Sequence, residues 1–222
     1  MKMPSRLLHV AGIAFFAVAA GLLLASTAAA GVVDPNGDLQ VISGDPLAGQ
    51  FSARITIDDD DRVYLRDESP EGLEVYRARF LWNRNTLVLP ETKRLKLLTG
   101  FSESPAQKRI VTLTLREGDD FHGHELRLKV RGDDELWTGT RWQLLGALPD
   151  LVPVTLEWRR ASGPDAEDGE VRLWVDGLLA GELFGVDNST WALDRVHFGV
   201  VSAPKPGTTG TLEIDSFESW AR

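Results

Sequence analysis

The sequence predicts an all-β chain, folded as a two-sheet antiparallel jelly-roll sandwich behind a cleavable signal peptide. Three observations predict it. Short runs alternate apolar and polar residues with period two, the signature of half-buried strands. Gly, Pro and Asp separate these runs, and no amphipathic helical period appears after residue 30. One run folds back on itself through Asp176-Gly177, a dipeptide that favours the positive backbone angles of a two-residue hairpin turn.

Residues 1–30 read as the signal peptide. Lys2 and Arg6 precede an apolar run from Leu7 to Leu24, and Ser26-Thr27-Ala28-Ala29-Ala30 supplies small residues for cleavage after Ala30. A run of this length could also span a bilayer. The small-residue exit favours cleavage, which leaves 192 residues and no stable membrane insertion. The expected location is periplasmic or secreted. Residues 31–48 read as an N-terminal lead-in and 49–222 as one sandwich domain. The chain has no cysteine, so neither disulfides nor thiolate metal sites contribute.

The strands follow in order. QFSARITI (Gln50 to Ile57) turns Phe51, Ala53, Ile55 and Ile57 to one face. VYRARFLW (Val75 to Trp82) does the same with Tyr76, Ala78, Phe80 and Trp82, while Arg77 and Arg79 face the other way. RIVTLTLR (Arg109 to Arg116), ELRLKV (Glu125 to Val130), VTLEW (Val154 to Trp158) and VHFGVV (Val196 to Val201) obey the same rule. In GEVRLWVDGLLAGELF, the turn register pairs Val175 with Leu178 and Trp174 with Leu179. TLEIDSFESW (Thr211 to Trp220) reads as the closing strand.

Several of these segments carry a family resemblance. VTLEWRR, a polar loop, GEVRLWVDGLLAGEL, LDRVHFGVV and GTLEIDSFES together resemble the centre and close of a concanavalin A-like or laminin-G-like sandwich, best from Val154 to Ser219. YRARFLWNRNTLVL looks like the early strands of uncharacterised bacterial secreted members. The resemblance implies the fold. It implies no single function, because lectins, glycosidases, polysaccharide lyases and adhesion modules share that fold.

Charge narrows the partners. Removing the signal leaves 22 basic against 33 acidic residues, a net −11. Such a chain is unsuited to nucleic acid, and it would repel an acidic polysaccharide unless its basic residues cluster locally. Glycan or a cell-envelope protein is the expected partner.

Candidate chemistry falls in four places. Glu213, Asp215 and Glu218 spell E-x-D-x-x-E, which resembles the carboxylate cluster of laminarinase-type hydrolases. Glu213 and Asp215 share a strand face, whereas Glu218 has the opposite parity unless a bulge intervenes. Because the stretch closes the chain, the expected role is structural, with catalysis as the alternative. Asp34, Asn36 and Asp38 offer hard oxygens at alternate positions and make calcium the one cofactor to consider; Asp58 to Asp61 and Asp187-Asn188 are further acidic loops. His122 and His124 could share a metal, but no third ligand accompanies them. Trp137 and Trp142, with Arg141 beside them, are the expected ligand-binding residues, since sugar rings stack on aromatic faces. Trp158 and Trp174 are expected in or near the core.

The first functional expectation is therefore a non-catalytic binding module. A glycoside hydrolase or polysaccharide lyase acting in a concave cleft is the second, and a structural or adhesion domain the third. A lyase would draw its base from Tyr64, Tyr76, His122, His124 or His197.

Overall fold

The computed structural model describes residues 30–44, 46–68, 70–118, 123–144 and 151–221. The predicted signal segment up to residue 29 and His122 lie outside them. Among the described residues all regular structure is β, in two antiparallel sheets. No helix there is long and apolar enough to cross a membrane.

In chain order the strands are β1 (Ala30–Val33), β2 (Leu39–Ile42), β3 (Ser52–Ile57), β4 (Val63–Asp67), β5 (Val75–Asn83), β6 (Arg94–Ser102), β7 (Lys108–Glu117) and β8 (His124–Arg131). They continue with β9 (Trp137–Gly139), β10 (Gln143–Leu144), β11 (Val152–Arg159), β12 (Gly169–Val175), β13 (Leu178–Val186), β14 (Arg195–Val200) and β15 (Gly210–Ala221). One sheet runs β1-β4-β14-β6-β7-β8-β10, with β9 also on β8; the other runs β13-β12-β11-β5-β15-β3-β2. Strands distant in sequence lie side by side, as in a jelly roll.

Period-two burial builds the core. Tyr76, Ala78, Phe80 and Trp82 of β5 are buried, as are Leu126, Leu128 and Val130 of β8 and Val154, Leu156 and Trp158 of β11. Their alternate neighbours face solvent on the outer side of each sheet. Truncating a filled core position such as Phe80 or Trp158 to Ala costs about 3–5 kcal/mol in comparable cores. Ser219 Oγ donates across the core from one sheet to Asp67 Oδ2 of the other at 3.2 Å.

The β12–β13 hairpin has the register its turn predicts, with Val175 opposite Leu178 and Trp174 opposite Leu179. Asp176 and Gly177 take φ values of 51° and 75°, as a type I′ turn requires.

Four details differ from the sequence reading. Phe51 lies just outside β3 and is exposed, so it is not part of the inward row. Trp174 is half-buried on the outer face, where the Arg77 guanidinium lies 5.3 Å from its ring centre. The 31–48 lead-in supplies β2 and most of β1, an edge strand for each sheet. Glu218 does not face away from Glu213 and Asp215: the register on β5 shifts between Asp215 and Glu218. Ser216 takes a φ of 51° there, the extra residue turns the strand, and Glu218 comes round to the side of the other two.

Candidate functional site

Residues paired across neighbouring strands point to the same side of a sheet. On the eight-stranded sheet that rule assembles a basic outer face. Lys96 pairs with Thr114 and Arg94 with Arg116. Thr114 pairs in turn with Arg127 and Thr112 with Lys129. Each cation is the outward member of an alternating run whose inward members, such as Leu95, Leu126 and Leu128, fill the core.

These side chains border a cleft of about 420 Å³. Thr112 and Thr114 lie between its cations and are buried. Arg94, Lys96, Arg109, Arg127, Lys129 and Lys205 supply six positive charges, and Trp137 and Trp142 the aromatic surface; among the described residues no carboxylate lines it. Among the described residues, Lys96, Arg109, Lys129 and Lys205 form no ion pair. At one end Arg116 is bound by Glu125. At the other, Arg131 Nη1 donates to the Glu135 carbonyl at 2.8 Å.

The tryptophans are already engaged. The Arg116 guanidinium sits 4.3 Å from the Trp142 ring centre, with Arg94 at 5.3 Å and Arg127 at 5.8 Å. Arg131 and Lys129 lie 5.0 and 5.4 Å from the Trp137 ring centre. The rings thus hold cations through their electron-rich faces. Arg141 is exposed and absent from the cleft lining; its carbonyl accepts from Gln143 Nε2 at 3.2 Å.

Crowding of like charge shows in the titration of the lysines. Lys96 is held below the ordinary lysine range by burial and then by Arg109, Lys205 and Lys129. Burial, then Arg127 and Arg94, lower Lys129 in the same way. An anion in the cleft would relieve both.

The same face continues past β6. Thr112 pairs with Thr99, Thr99 with His197, and His197 with Arg66. The His197 ring is stacked on Tyr64 at 4.4 Å and tilted against Phe101 at 4.6 Å. Burial, followed by Arg195, Arg66 and Arg62, lowers its pKa to about 4, so it is neutral at pH 7.

The remaining candidates lie elsewhere. Glu213, Asp215 and Glu218 are on the outer face of the seven-stranded sheet, the far side of the sandwich from the cleft. Arg54 Nε donates to Glu213 at 2.7 Å and Asn85 Nδ2 at 3.3 Å. Asp215 accepts from the Ala48 amide at 2.7 Å. Glu213 and Asp215 are both buried, and these bonds tie β3, the turn after β5 and the 46–50 loop to β15.

The Asp34 carboxylate accepts from the amides of Gly37, Asp38 and Leu39 at 2.7–3.1 Å, which caps a turn. Asn36 donates to Asp59 and Asp61 at 2.7 and 2.8 Å. Of the three predicted calcium ligands only Asp38 joins a set of convergent carboxylates: its ligand oxygen lies within 4.8 Å of those of Asp58 and Asp59. Burial, then repulsion led by Asp58 and Asp59, raises the Asp38 pKa. His124 is buried beside Arg84 and Glu117, where burial and then Arg84 lower its pKa to about 4.

The basic cleft escapes sequence reasoning because its cations come from three strands and a distant loop, diluted in an acidic chain. The available signal was the outward half of each alternating run, Arg127 and Lys129 in ELRLKV among them.

No family model and no curated protein sequence matches the chain. Solved structures do. It is similar to the endo-β-1,4-glucuronan lyase of the fungus Trichoderma reesei, at 12% identity and a TM-score of 0.60, covering 86% of this chain and 90% of that one. It is similar to the alginate lyase vAL-1 from Chlorella virus, at 12% identity and a TM-score of 0.62, covering 83% and 89%. The binding domain of Botulinum Neurotoxin DC in complex with SialylT gives 11% identity and a TM-score of 0.58, covering 87% of this chain and 42% of that one. At these identities the likeness establishes a shared β-sandwich fold.

Proposed function

We propose that the protein is an extracytoplasmic binding module for an acidic, carboxylate-bearing polysaccharide, taken up in the basic cleft. One observation carries the reading: an acidic chain gathers six cations into a single cleft with no acidic residue among the described residues of its lining. Positive clefts concentrate anionic ligands by focusing their field. Guanidinium groups bind carboxylates through paired hydrogen bonds, and Trp142 fixes the orientation of three of them. The fold is one on which, in other proteins, both uronate lyases and toxin binding domains are built.

Affinity electrophoresis in gels containing a polyuronate tests this. Wild type should be retarded and Lys96→Ala/Lys129→Ala should migrate freely while giving a wild-type circular dichroism spectrum. Equal mobility of both would overturn the reading.

A second reading, a polysaccharide lyase, has its own support in Tyr64 stacked on a neutral His197, with Arg66 and Arg195 nearby. In β-elimination an arginine neutralises the uronate carboxylate and a base removes the C5 proton. The electron pair forms the C4–C5 double bond, and the C4–O bond breaks as an acid protonates the leaving oxygen. The unsaturated product absorbs in the ultraviolet. Its release by wild type and not by His197→Ala would make the protein an enzyme.

A further inference from the structure

We propose that the binding face is a track rather than a single cleft, with a second subsite at Arg66, His197 and Arg195 that takes later carboxylates of the same acidic chain. The inference rests on the reading of the cleft given above. Its first support is register. Lys129 pairs with Thr112, Thr112 with Thr99, Thr99 with His197 and His197 with Arg66. These five residues form one row across β8, β7, β6, β14 and β4, all on one side of the sheet. Four inter-strand steps of roughly 4.8 Å place the ends of the row about 19 Å apart. A bound chain running across the strands would therefore leave the cleft directly over His197 and reach Arg66.

The shape of the row agrees. Its middle residues, Thr112 and Thr99, are short and buried, while both ends carry long cations. This makes a trough. Thr99 Oγ1 and His197 Nε2, on paired residues at its centre, have no hydrogen-bond partner among the described residues. Both atoms are fully buried, which is costly without a partner, and a ligand reaches them only by displacing the side chains around them. Charge agrees as well. Among the described residues Arg66 is ion-paired with Glu68 at 2.8 Å, and Arg195 with Glu103 at 3.0 Å besides lying 5.2 Å from the Phe101 ring centre. Both glutamates are substantially exposed, so an arriving carboxylate can displace them at little cost, because exposed ion pairs are weak. His197 contributes no charge of its own at neutral pH, and its ring is held by stacking on Tyr64 and by a tilted contact with Phe101.

The two subsites differ in what they need from the ligand. A short acidic oligosaccharide fills the cleft, where cations are densest. Only a longer one spans to Arg66. Affinity should therefore rise with chain length, and the rise should depend on Arg66.

Calorimetric titration of a uronate disaccharide and a uronate hexasaccharide into wild type, Arg66→Ala, Arg66→Lys and Lys129→Ala tests this. Wild type should bind the hexasaccharide more tightly. Arg66→Ala should weaken the hexasaccharide by roughly tenfold, a factor worth about 1.4 kcal/mol, and leave the disaccharide unchanged. Arg66→Lys should restore most of the loss, which a folding defect would not. Lys129→Ala should weaken both ligands. Unchanged hexasaccharide binding by Arg66→Ala, with Lys129→Ala defective, would overturn the track and leave the cleft standing. Failure of wild type to bind either oligosaccharide would overturn both.

Discussion

Trp142 sits where three guanidinium groups converge, and its neighbours show what such crowding does to a single residue. Burial and then nearby cations lower the Lys96 pKa in the fold, which disfavours its charged form there. Folding therefore costs free energy as long as Lys96 must stay protonated. That cost shrinks as pH rises through the folded pKa, and it is gone above the unfolded value of about 10.4. Lys96→Met should thus raise the melting temperature at pH 7 while reducing retention on an acidic polysaccharide. Opposite signs on stability and binding mark a residue kept for its ligand rather than for the fold. A lower melting temperature in Lys96→Met would show that the lysine stem, not its charge, matters here.

At the scale of elements, the β12–β13 hairpin and the β15 bulge differ in how much of them the sequence reveals. Asp176-Gly177 encodes its turn directly, since few residues tolerate the positive φ that both positions adopt. Gly177→Val should cost about 1–3 kcal/mol in chemical denaturation, although a side chain there would meet no neighbour within 4 Å. An unchanged midpoint would mean that the turn carries no strain. The bulge has no such marker. Ser216 takes its positive φ without being glycine, so strand parity alone puts Glu218 on the wrong face. Asp215 braces the bend locally, accepting from the Ser216 amide, and from afar, accepting the Ala48 amide of a loop distant in sequence. Asp215→Ala should lose about 1 kcal/mol of stability through that orphaned, partly buried amide. A variant with wild-type stability would return Asp215 to the set of residues spared for chemistry.

For the molecule as a whole, the sheets were legible because each strand carries its own alternation, as β5, β8 and β11 show. The cleft was not, because its charge belongs to no segment. Arg94 and Lys96, Arg127 and Lys129, and Lys205 become neighbours only when β6, β7 and β8 align beside the loop after β14. Net charge concealed the same feature: a chain of net −9 still presents one basic face, and long-range repulsion from its acidic surfaces is screened over about 8 Å at physiological salt. Trp137 and Trp142, singled out in the sequence, line the cleft, but their partners in space are cations rather than open solvent. The central claim is that carboxylate charge, and not sugar shape, is what this face selects. It is tested most directly by calorimetry of wild type with one polyuronate and with the same polymer after its carboxyl groups are reduced to alcohols. The acidic polymer should bind, with affinity falling as salt rises, and the neutral one should give no heat of binding. Equal binding of the two polymers, or salt-independent binding of the acidic one, would contradict it.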